Sequence, residues 1–365
     1  MNYYIIAGEA SGDLHASNLI KELKVLDVNA KFRCWGGDLM KEQGADLVKH
    51  YRELAFMGFT EVLMNLRTIL KNIDFCKKDI LQHKPDVLIL VDYPGFNLRI
   101  AEFAKSIGIK VFYYISPQIW AWKQSRVHKI KRVVDKMFVI LPFEKEFYHR
   151  FDYNVDFVGH PLLDAVENYS KQPSTLSIQT DKKIIALLPG SRKQEIATML
   201  PIMLSMQKYY DNYLFVIAGA PSQNKEFYQT FTSNSNVEIV YNQTYQLLQK
   251  AEVALVTSGT ATLETALFGV PEVVCYKGGA ISYAIAKQLV KVKYISLVNL
   301  IMDKEIVKEL IQGELNETNL KIELDKLLNP GTRNKLLADY AGLIEKLSGS
   351  GASKKTATLM INYLR

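Results

Sequence analysis

The stretch Val87-Leu88-Ile89-Leu90-Val91-Asp92-Tyr93-Pro94-Gly95-Phe96-Asn97 decides the fold. Its first five residues are all apolar, with no alternating polar face. A strand of that kind must be covered on both sides, as it is where helices flank a parallel sheet. The Pro-Gly pair then marks a tight exit from the strand's C-terminal end. Working outward, the same grammar recurs. Strand candidates in the first half are Tyr3–Ala7, Phe32–Trp35, Val87–Val91, Lys110–Ile115, Met137–Leu141 and Asp156–Val158. In the second half they are Lys183–Leu188, Leu214–Ala218, Glu238–Tyr241, Val253–Val256 and Glu272–Cys275. Helical patterns of about 10 to 16 residues fit between most of them. This order argues an α/β, doubly wound parallel architecture. The polar stretch Glu167–Asp181 interrupts the pattern once and reads as a linker. Two Rossmann-like domains are therefore expected, over 1–166 and 182–340, with ligand between their facing strand ends. A terminal helical segment, 341–365, has the first half as the surface to which it can return.

Composition bounds what such a chain does. At 365 residues, with 48% hydrophobic and 23% charged, it has the make-up of an ordinary globular protein of two domains. No apolar run approaches the roughly 18 to 20 residues of a spanning helix. Met1–Ala7 runs straight into a strand pattern, without the basic start and cleavage site of a signal peptide. Cys34, Cys76 and Cys275 lie far apart, as reduced residues of a cytoplasmic protein would. The net charge of +7 and pI near 9.0 favour an anionic partner without choosing among nucleotide, phospholipid and nucleic acid. Nucleic acid is the poorest of the three, because basic residues do not interleave with aromatics along one recognisable module.

In doubly wound folds, chemistry sits in loops at the C-terminal ends of strands. Gly8-Glu9-Ala10-Ser11-Gly12-Asp13 follows the first strand, with glycines suited to a tight turn and a helix starting at Leu14. It matches neither the dinucleotide fingerprint nor the P-loop. Ser11 or Asp13 is a plain helix cap on the simpler reading. Asp92 stands at the mouth of its strand, placed to take a proton, or else it is a turn residue. Ser116-Pro117-Gln118-Ile119-Trp120-Ala121-Trp122 offers aromatic walls to a sugar or acyl chain, or packs the core. In the second half, Gly190-Ser191-Arg192 opens a helix and suits a diphosphate. Ser258-Gly259-Thr260-Ala261 permits close backbone approach to phosphate, and Glu264 is placed to accept bonds from ribose hydroxyls. His160 either orients substrate or caps the first domain.

Some absences narrow the chemistry. There is no D-x-D element, no zinc-like Cys/His cluster and no G-x-S-x-G elbow, so metal and cofactor are expected to be none. Two stretches are candidates for a membrane surface. Phe59, Val62, Leu63, Leu66, Ile69, Leu70 and Ile73 recur at helical spacing, as a sheet-covering helix or as a lipid-facing one. Lys123–Lys136 carries six Lys/Arg against one Asp, a solvated face or a seat for anionic headgroups.

Taken together, these loops closely resemble the lipid A disaccharide synthase family. The matching elements are GEASGD at 8–13, GG at 36–37, MG at 57–58 and D-x-P-x-F-N at 92–97. SPQIWAW at 116–122, LPFE at 141–144, GHP at 159–161, LPGSR at 188–192 and SGTATLE at 258–264 continue the series. Ser296-Leu297-Val298-Asn299-Leu300 departs from the family's S-L-P-N-L by Val298 in place of proline. The resemblance implies a GT-B glycosyltransferase without metal, and inverting transfer of 2,3-diacylglucosamine from UDP to the 6′-hydroxyl of 2,3-diacylglucosamine 1-phosphate (lipid X). It implies a cytoplasmic enzyme held peripherally on the anionic inner leaflet of a Gram-negative inner membrane, and it leaves room for an oligomer. Carried onto this sequence, Asp92 is the general base and Asn97 supports its loop. Gly8, Glu9, Ser11, Asp13 and Gln118 line the sugars. Arg192 neutralises the leaving diphosphate with Gly190, Ser191, Ser258, Gly259, Thr260 and Ala261. Glu264 holds the ribose and Asn299 lies near the diphosphate or donor sugar. A UDP-N-acetylglucosamine 2-epimerase or a peptidoglycan-type transferase shares the fold, but the SPQIWAW and D-x-P-x-F-N loops speak against both.

Overall fold

A computed structural model describes residues 1–53, 66–171, 175–233, 235–279, 283 and 292–365, without the side chains of 66, 168 and 170. Contacts divide the chain into two units, Met1–Pro161 with Ser350–Arg365, and Leu162–Gly349.

The first unit is built on β1 (Asn2–Ala7), β2 (Lys31–Gly36), β3 (Asp46–His50), β4 (Val87–Val91), β5 (Lys110–Tyr114), β6 (Lys136–Val139) and β7 (Asp156–Phe157). They pair in the order β3-β2-β1-β4-β5-β6-β7, every neighbour parallel. All five residues of β4 are buried, as its unbroken apolar run requires between two helix layers. From β1 the chain builds outward through β2 and β3, then returns to add β4 on the other side. The order reverses between β1 and β4, so the loops leaving these two strands diverge and open a crevice at their C-terminal ends. Those loops begin at Gly8 and at Asp92.

The second unit repeats the plan with β8 (Lys183–Leu188), β9 (Tyr213–Gly219), β10 (Val237–Tyr241), β11 (Ala251–Thr257), β12 (Glu272–Tyr276) and β13 (Lys308–Ile311). The order is β10-β9-β8-β11-β12-β13, again parallel throughout. Its reversal lies between β8 and β11, and the loops leaving these strands carry Gly190–Arg192 and Ser258–Glu264.

The expected boundaries need correction. The first unit ends at Pro161, not at 166, and Glu167–Asp181 is not a free linker. Leu176 and Ile178 pack on the second core, and both Ser177 N and Oγ donate to Gln243 Oε1 at 3.1 and 3.0 Å. Nor is 341–365 a single helix. Helix Pro330–Lys346 belongs to the second unit and stops where Ser348, Gly349 and Gly351 take positive φ. A new helix, Ala352–Leu364, then lies against helix Ala10–Leu26 in the first unit. Its buried stripe is Ala352, Ser353, Thr356, Ala357, Met360 and Ile361 at helical spacing, the first four small enough to allow close approach. Tyr363 fixes the far end, donating to Asp156 at 3.1 Å and lying under the Lys136 ammonium.

Candidate functional site

In the first unit, the turn after β4 is strained and over-determined. Asp92 and Tyr93 take φ of 44° and 49°, the left-handed region that costs a non-glycine residue about 1–3 kcal/mol. Asp92 N donates to Tyr114 O at 3.2 Å, while Asp92 O accepts from Tyr113 Oη at 2.5 Å and from Asn97 Nδ2 at 2.7 Å. Asn97 is fully buried and also reaches Val91 O at 3.3 Å. It therefore holds the turn from within the fold and does not face a ligand. The Tyr93 ring lies over Gly8, where a Cβ would stand 2.3 Å from Tyr93 Cγ. Gly8 is required by that packing. Its φ is not positive, so the expected turn is not what demands a glycine.

The Asp92 carboxyl is pushed up to about 6, first by burial and then by the Glu9 carboxylate, with the Tyr93 backbone pulling the other way. An acid with that value is largely ionised at neutral pH and is a competent proton acceptor. Glu9 occupies the N-cap position of helix Ala10–Leu26 without a side-chain cap bond, and Ser11 is exposed in its first turn. The helix thus starts four residues before the expected Leu14, and neither Ser11 nor Asp13 caps it.

Asp13 is a second correction. Its Oδ1 accepts from Gly37 N at 2.8 Å and Met40 N at 3.1 Å, and its Oδ2 accepts from Leu39 N at 3.2 Å. The carboxylate closes the N-terminus of helix Asp38–Glu42 and is not available to a sugar. A Cβ on Gly37 would lie 2.5 Å from Asp13 Oδ2, so the GEASGD and Gly36-Gly37 elements form one constellation.

The next loop, after β5, is strained too: Ile115 has φ of 65°, an outlier for a β-branched residue. Behind it, Ser116 Oγ and Tyr148 Oη are 2.7 Å apart. Buried Glu144 accepts from Ile140 N and Leu141 N through Oε2, and burial pushes its carboxyl up to about 7. Gln118 is exposed at the head of helix Ile119–Trp122. The tryptophans divide: Trp120 is buried edge-on to Phe143, whereas Trp122 is 51% exposed. His160 is buried near His15, and burial holds the pair neutral, at about 3 and about 4.

Of the apolar membrane candidates, Phe59, Val62 and Leu63, the side chain of Leu66 and the Met57-Gly58 element lie outside the described residues. Ile69 is half-buried, Leu70 is 48% exposed and Ile73 is in the core. No described helix is long and apolar enough to cross a membrane.

In the second unit, the two switch-point loops differ in a way the sequence did not reveal. At Gly190-Ser191-Arg192, Glu195 Oε2 accepts from Ser191 N at 3.0 Å and Arg192 N at 3.5 Å. Gly190, at φ of 108°, leaves room for that carboxylate, which a Cβ would meet at 2.3 Å. The backbone donors expected to seat a diphosphate are thus engaged by the chain itself, while the Arg192 side chain is exposed. At the other loop, helix Thr260–Leu267 has Gly259 at its N-cap and no side-chain cap bond. Open space lies beyond Gly259, and Thr260 is exposed with Ala261 half-exposed. First-turn N–H groups of this kind are an anion site. Ser258 serves the loop's shape, donating from N to Cys275 O and from Oγ to Ile295 O, each at 3.0 Å. Glu264 Oε1 accepts from Tyr245 Oη at 2.7 Å, and burial raises its carboxyl above the ordinary range.

Asn299 is the third correction. It is fully buried; Nδ2 donates to Val307 O and Glu309 Oε1, and Oδ1 accepts from Ile306 N and Val307 N, at 2.7 to 3.0 Å. Its side-chain bonding capacity is thus filled by its own chain, which makes it a residue that holds this loop. Val298 is buried beside it in a regular helix, Leu297–Met302. Tyr113, Tyr245 and Glu309 were missed from sequence, and no motif flagged them. Glu144 was signalled by the LPFE element. Among the described residues no group of three or more His, Cys, Asp and Glu is placed to hold a metal ion.

A family model described as lipid-A-disaccharide synthetase matches residues 3–362. The chain is 39% identical over 372 residues to a lipid-A-disaccharide synthase of Syntrophus aciditrophicus, covering 99% of this chain and 97% of that one. It is 40% identical over 375 residues to one of the same name from Psychromonas ingrahamii, with 99% and 97% covered. Among solved structures, the UDP-GlcNAc 2-epimerase of Neisseria meningitidis bound to UDP-GlcNAc is similar at TM-score 0.66 and 15% identity, covering 100% of this chain and 99% of that chain. The glycotransferase of kitacinnamycin is similar at TM-score 0.69 and 14% identity, with 100% and 99% covered. At such identities these two carry the fold alone, which is that of GT-B enzymes.

Proposed function

From the premise that this chain belongs to the lipid-A-disaccharide synthetase family and is a glycosyltransferase forming the lipid A disaccharide, we propose how its residues divide the work. The donor is UDP-2,3-diacylglucosamine and the acceptor is lipid X. Asp92 takes the proton of the acceptor's primary hydroxyl, on C6, as that oxygen forms a bond to the donor's anomeric carbon. The bond from that carbon to the diphosphate oxygen breaks with its electron pair, giving UDP and an inverted, β(1→6) linkage. The leaving charge falls on the first-turn N–H groups of helix Thr260–Leu267 and on the Arg192 guanidinium. Glu264, already oriented by Tyr245, accepts from a ribose hydroxyl.

One observation carries this reading: a proton-accepting carboxylate, held in a strained turn at the switch point of the first sheet and tuned to about 6. Acyl chains on both substrates would bring the enzyme to a bilayer surface, with Leu70 on the exposed side of its helix, and peripheral attachment to the inner leaflet follows as part of the proposal.

The test is transfer of label from UDP-2,3-diacylglucosamine to lipid X in detergent micelles containing EDTA, with the anomeric coupling of the product read by NMR. Disaccharide with a β linkage is expected. UDP binding without disaccharide would sink the assignment, and an α linkage would sink the single displacement. Loss of product on adding EDTA would introduce a metal.

A further inference from the structure

The basic run Lys123–Lys136 is not one uniform face. Lys129 pairs with Glu102 at 2.8 Å, Lys131 donates to Phe151 O at 3.0 Å, and Lys136 sits 3.8 Å from the Tyr363 ring centre. These three cations serve the fold. Lys123 and Arg126 make no ion pair or side-chain hydrogen bond among the described residues. Both instead lie over the exposed ring of Trp122, at 5.7 and 5.2 Å from its centre. Arg126 is moreover half-buried. A partly desolvated guanidinium without a counter-charge is unfavourable until an anion supplies one.

The position of Arg126 is informative as well. It lies on the segment that leaves the C-terminal end of β5, and β5 pairs directly with β4, whose C-terminal end carries Asp92. The cation therefore lies on the side of the fold where the candidate base is held. A planar guanidinium, an ammonium and an exposed indole together match one kind of ligand. The guanidinium grips phosphate oxygens in a forked pair of bonds, the ammonium adds charge, and the ring covers an apolar sugar face.

We propose that Trp122, Lys123 and Arg126 form the subsite for the phosphate monoester of the phosphosugar acceptor, a deepening that rests on the acceptor reading above. The acceptor carries its phosphate at the anomeric carbon, on the other side of the ring oxygen from the carbon that bears the hydroxymethyl group Asp92 would deprotonate. A cation subsite beside the Asp92 loop would set that orientation, and it would explain selection for a phosphorylated acceptor.

The experiment compares wild type, R126A and K123A in neutral detergent micelles, with lipid X and with its dephosphorylated form, 2,3-diacylglucosamine, as acceptors. For R126A, KM for lipid X should rise roughly 10- to 100-fold, the loss of a charge-assisted pair. On the dephosphorylated acceptor, R126A and wild type should coincide, and the KM for the UDP-sugar should not move. K123A should show the same pattern, more weakly. Equal losses on both acceptors would make Arg126 structural, and a raised donor KM would give it to the diphosphate. Either result overturns the subsite. So would unchanged KM in neutral micelles alongside weaker binding to anionic phospholipid vesicles, which would assign the cations to headgroups. Wild-type turnover tests the acceptor reading independently. If no disaccharide forms, equilibrium binding of lipid X to wild type and R126A still decides the subsite.

Discussion

Replacing Asp92 with Asn should make the protein more stable and nearly inactive. The carboxyl's ordinary value is 3.8 and its folded value is about 6. A shift of that size means that ionising it in the fold costs about 3 kcal/mol more than in the unfolded chain, at about 1.4 kcal/mol per unit. The sign follows from proton binding. A carboxyl that holds its proton more tightly when folded contributes stability that is complete below 3.8 and lost as pH rises to about 6. At pH 7 that contribution is gone. Asn97 and Tyr113 bond to the Asp92 backbone carbonyl, so they are retained in the variant. Asparagine also tolerates the left-handed backbone there. Allowing for the partial exposure of the side chain, D92N should gain about 1–3 kcal/mol at pH 7, and much less at pH 4.

Two assays read the two halves of this prediction. Thermal melts of wild type and D92N from pH 4 to 8 should diverge as pH rises, by about 2–4 °C for each kcal/mol in a unit of this size. In the transfer assay, D92N should lose about 10²- to 10⁴-fold in kcat. Wild-type kcat/KM should fall as pH drops through about 6, and E9Q, which removes the like charge beside the base, should move that limb to lower pH. Coincident melts at every pH would refute the argument that burial raises the group. Near-normal turnover by D92N would remove it from the role of base.

Gly8→Ala places a Cβ where the Tyr93 ring lies, so the Asp92 turn must shift. It should cost about 1–3 kcal/mol and about 10²-fold in kcat, and an active, normally melting variant would show that the ring can move aside. Asn299→Ala leaves buried partners on Glu309, Ile306 and Val307 unmatched and should lower stability by roughly 2–5 kcal/mol. UDP affinity of the folded variant, measured by titration calorimetry, should be unchanged; weaker UDP with an unchanged melt would return Asn299 to the donor. Glu272 is fully buried with both carboxylate oxygens unpartnered among the described residues, and burial raises it well above 4.5. Stability of the second unit should therefore fall with rising pH above that range, by about 1.4 kcal/mol per unit. E272Q should flatten the slope in urea unfolding, and an unchanged slope would reveal a partner.

The covered strands were readable because an apolar run has few other uses: β4 and β8 are buried along nearly their whole length. The two strands that were missed lie at sheet edges. β3, Asp-Leu-Val-Lys-His, is wholly outside the core, and β13 is a four-residue Lys-Glu-Leu-Ile. An edge strand is covered less, so its residues carry no comparable signature. The domain boundary misled for a related reason. Glu167–Asp181 is polar in composition, yet Leu176 and Ile178 decide its allegiance by packing, and a count of polar residues does not weigh where two apolar ones point.

The same distinction governs the candidate site. The switch-point rule points to candidate loops from strand order alone, but it cannot separate residues that face a ligand from residues that hold the loop. That separation depends on where each polar group's bonds go. Asp13, Asn97, Glu195 and Asn299 are tied to their own backbone, so they shape the loops. Asp92 is half-buried beside a like charge, the N-cap of helix Thr260–Leu267 makes no side-chain bond, and Arg126 lacks a counter-ion among the described residues. These groups are unfavourable as they stand, in an electrostatic sense that substrate can relieve. In the proposed reaction a donor diphosphate would relieve the helix terminus, an acceptor phosphate would relieve Arg126, and the acceptor proton would relieve Asp92. Each group's cost without substrate is the part of its environment that favours binding or proton transfer.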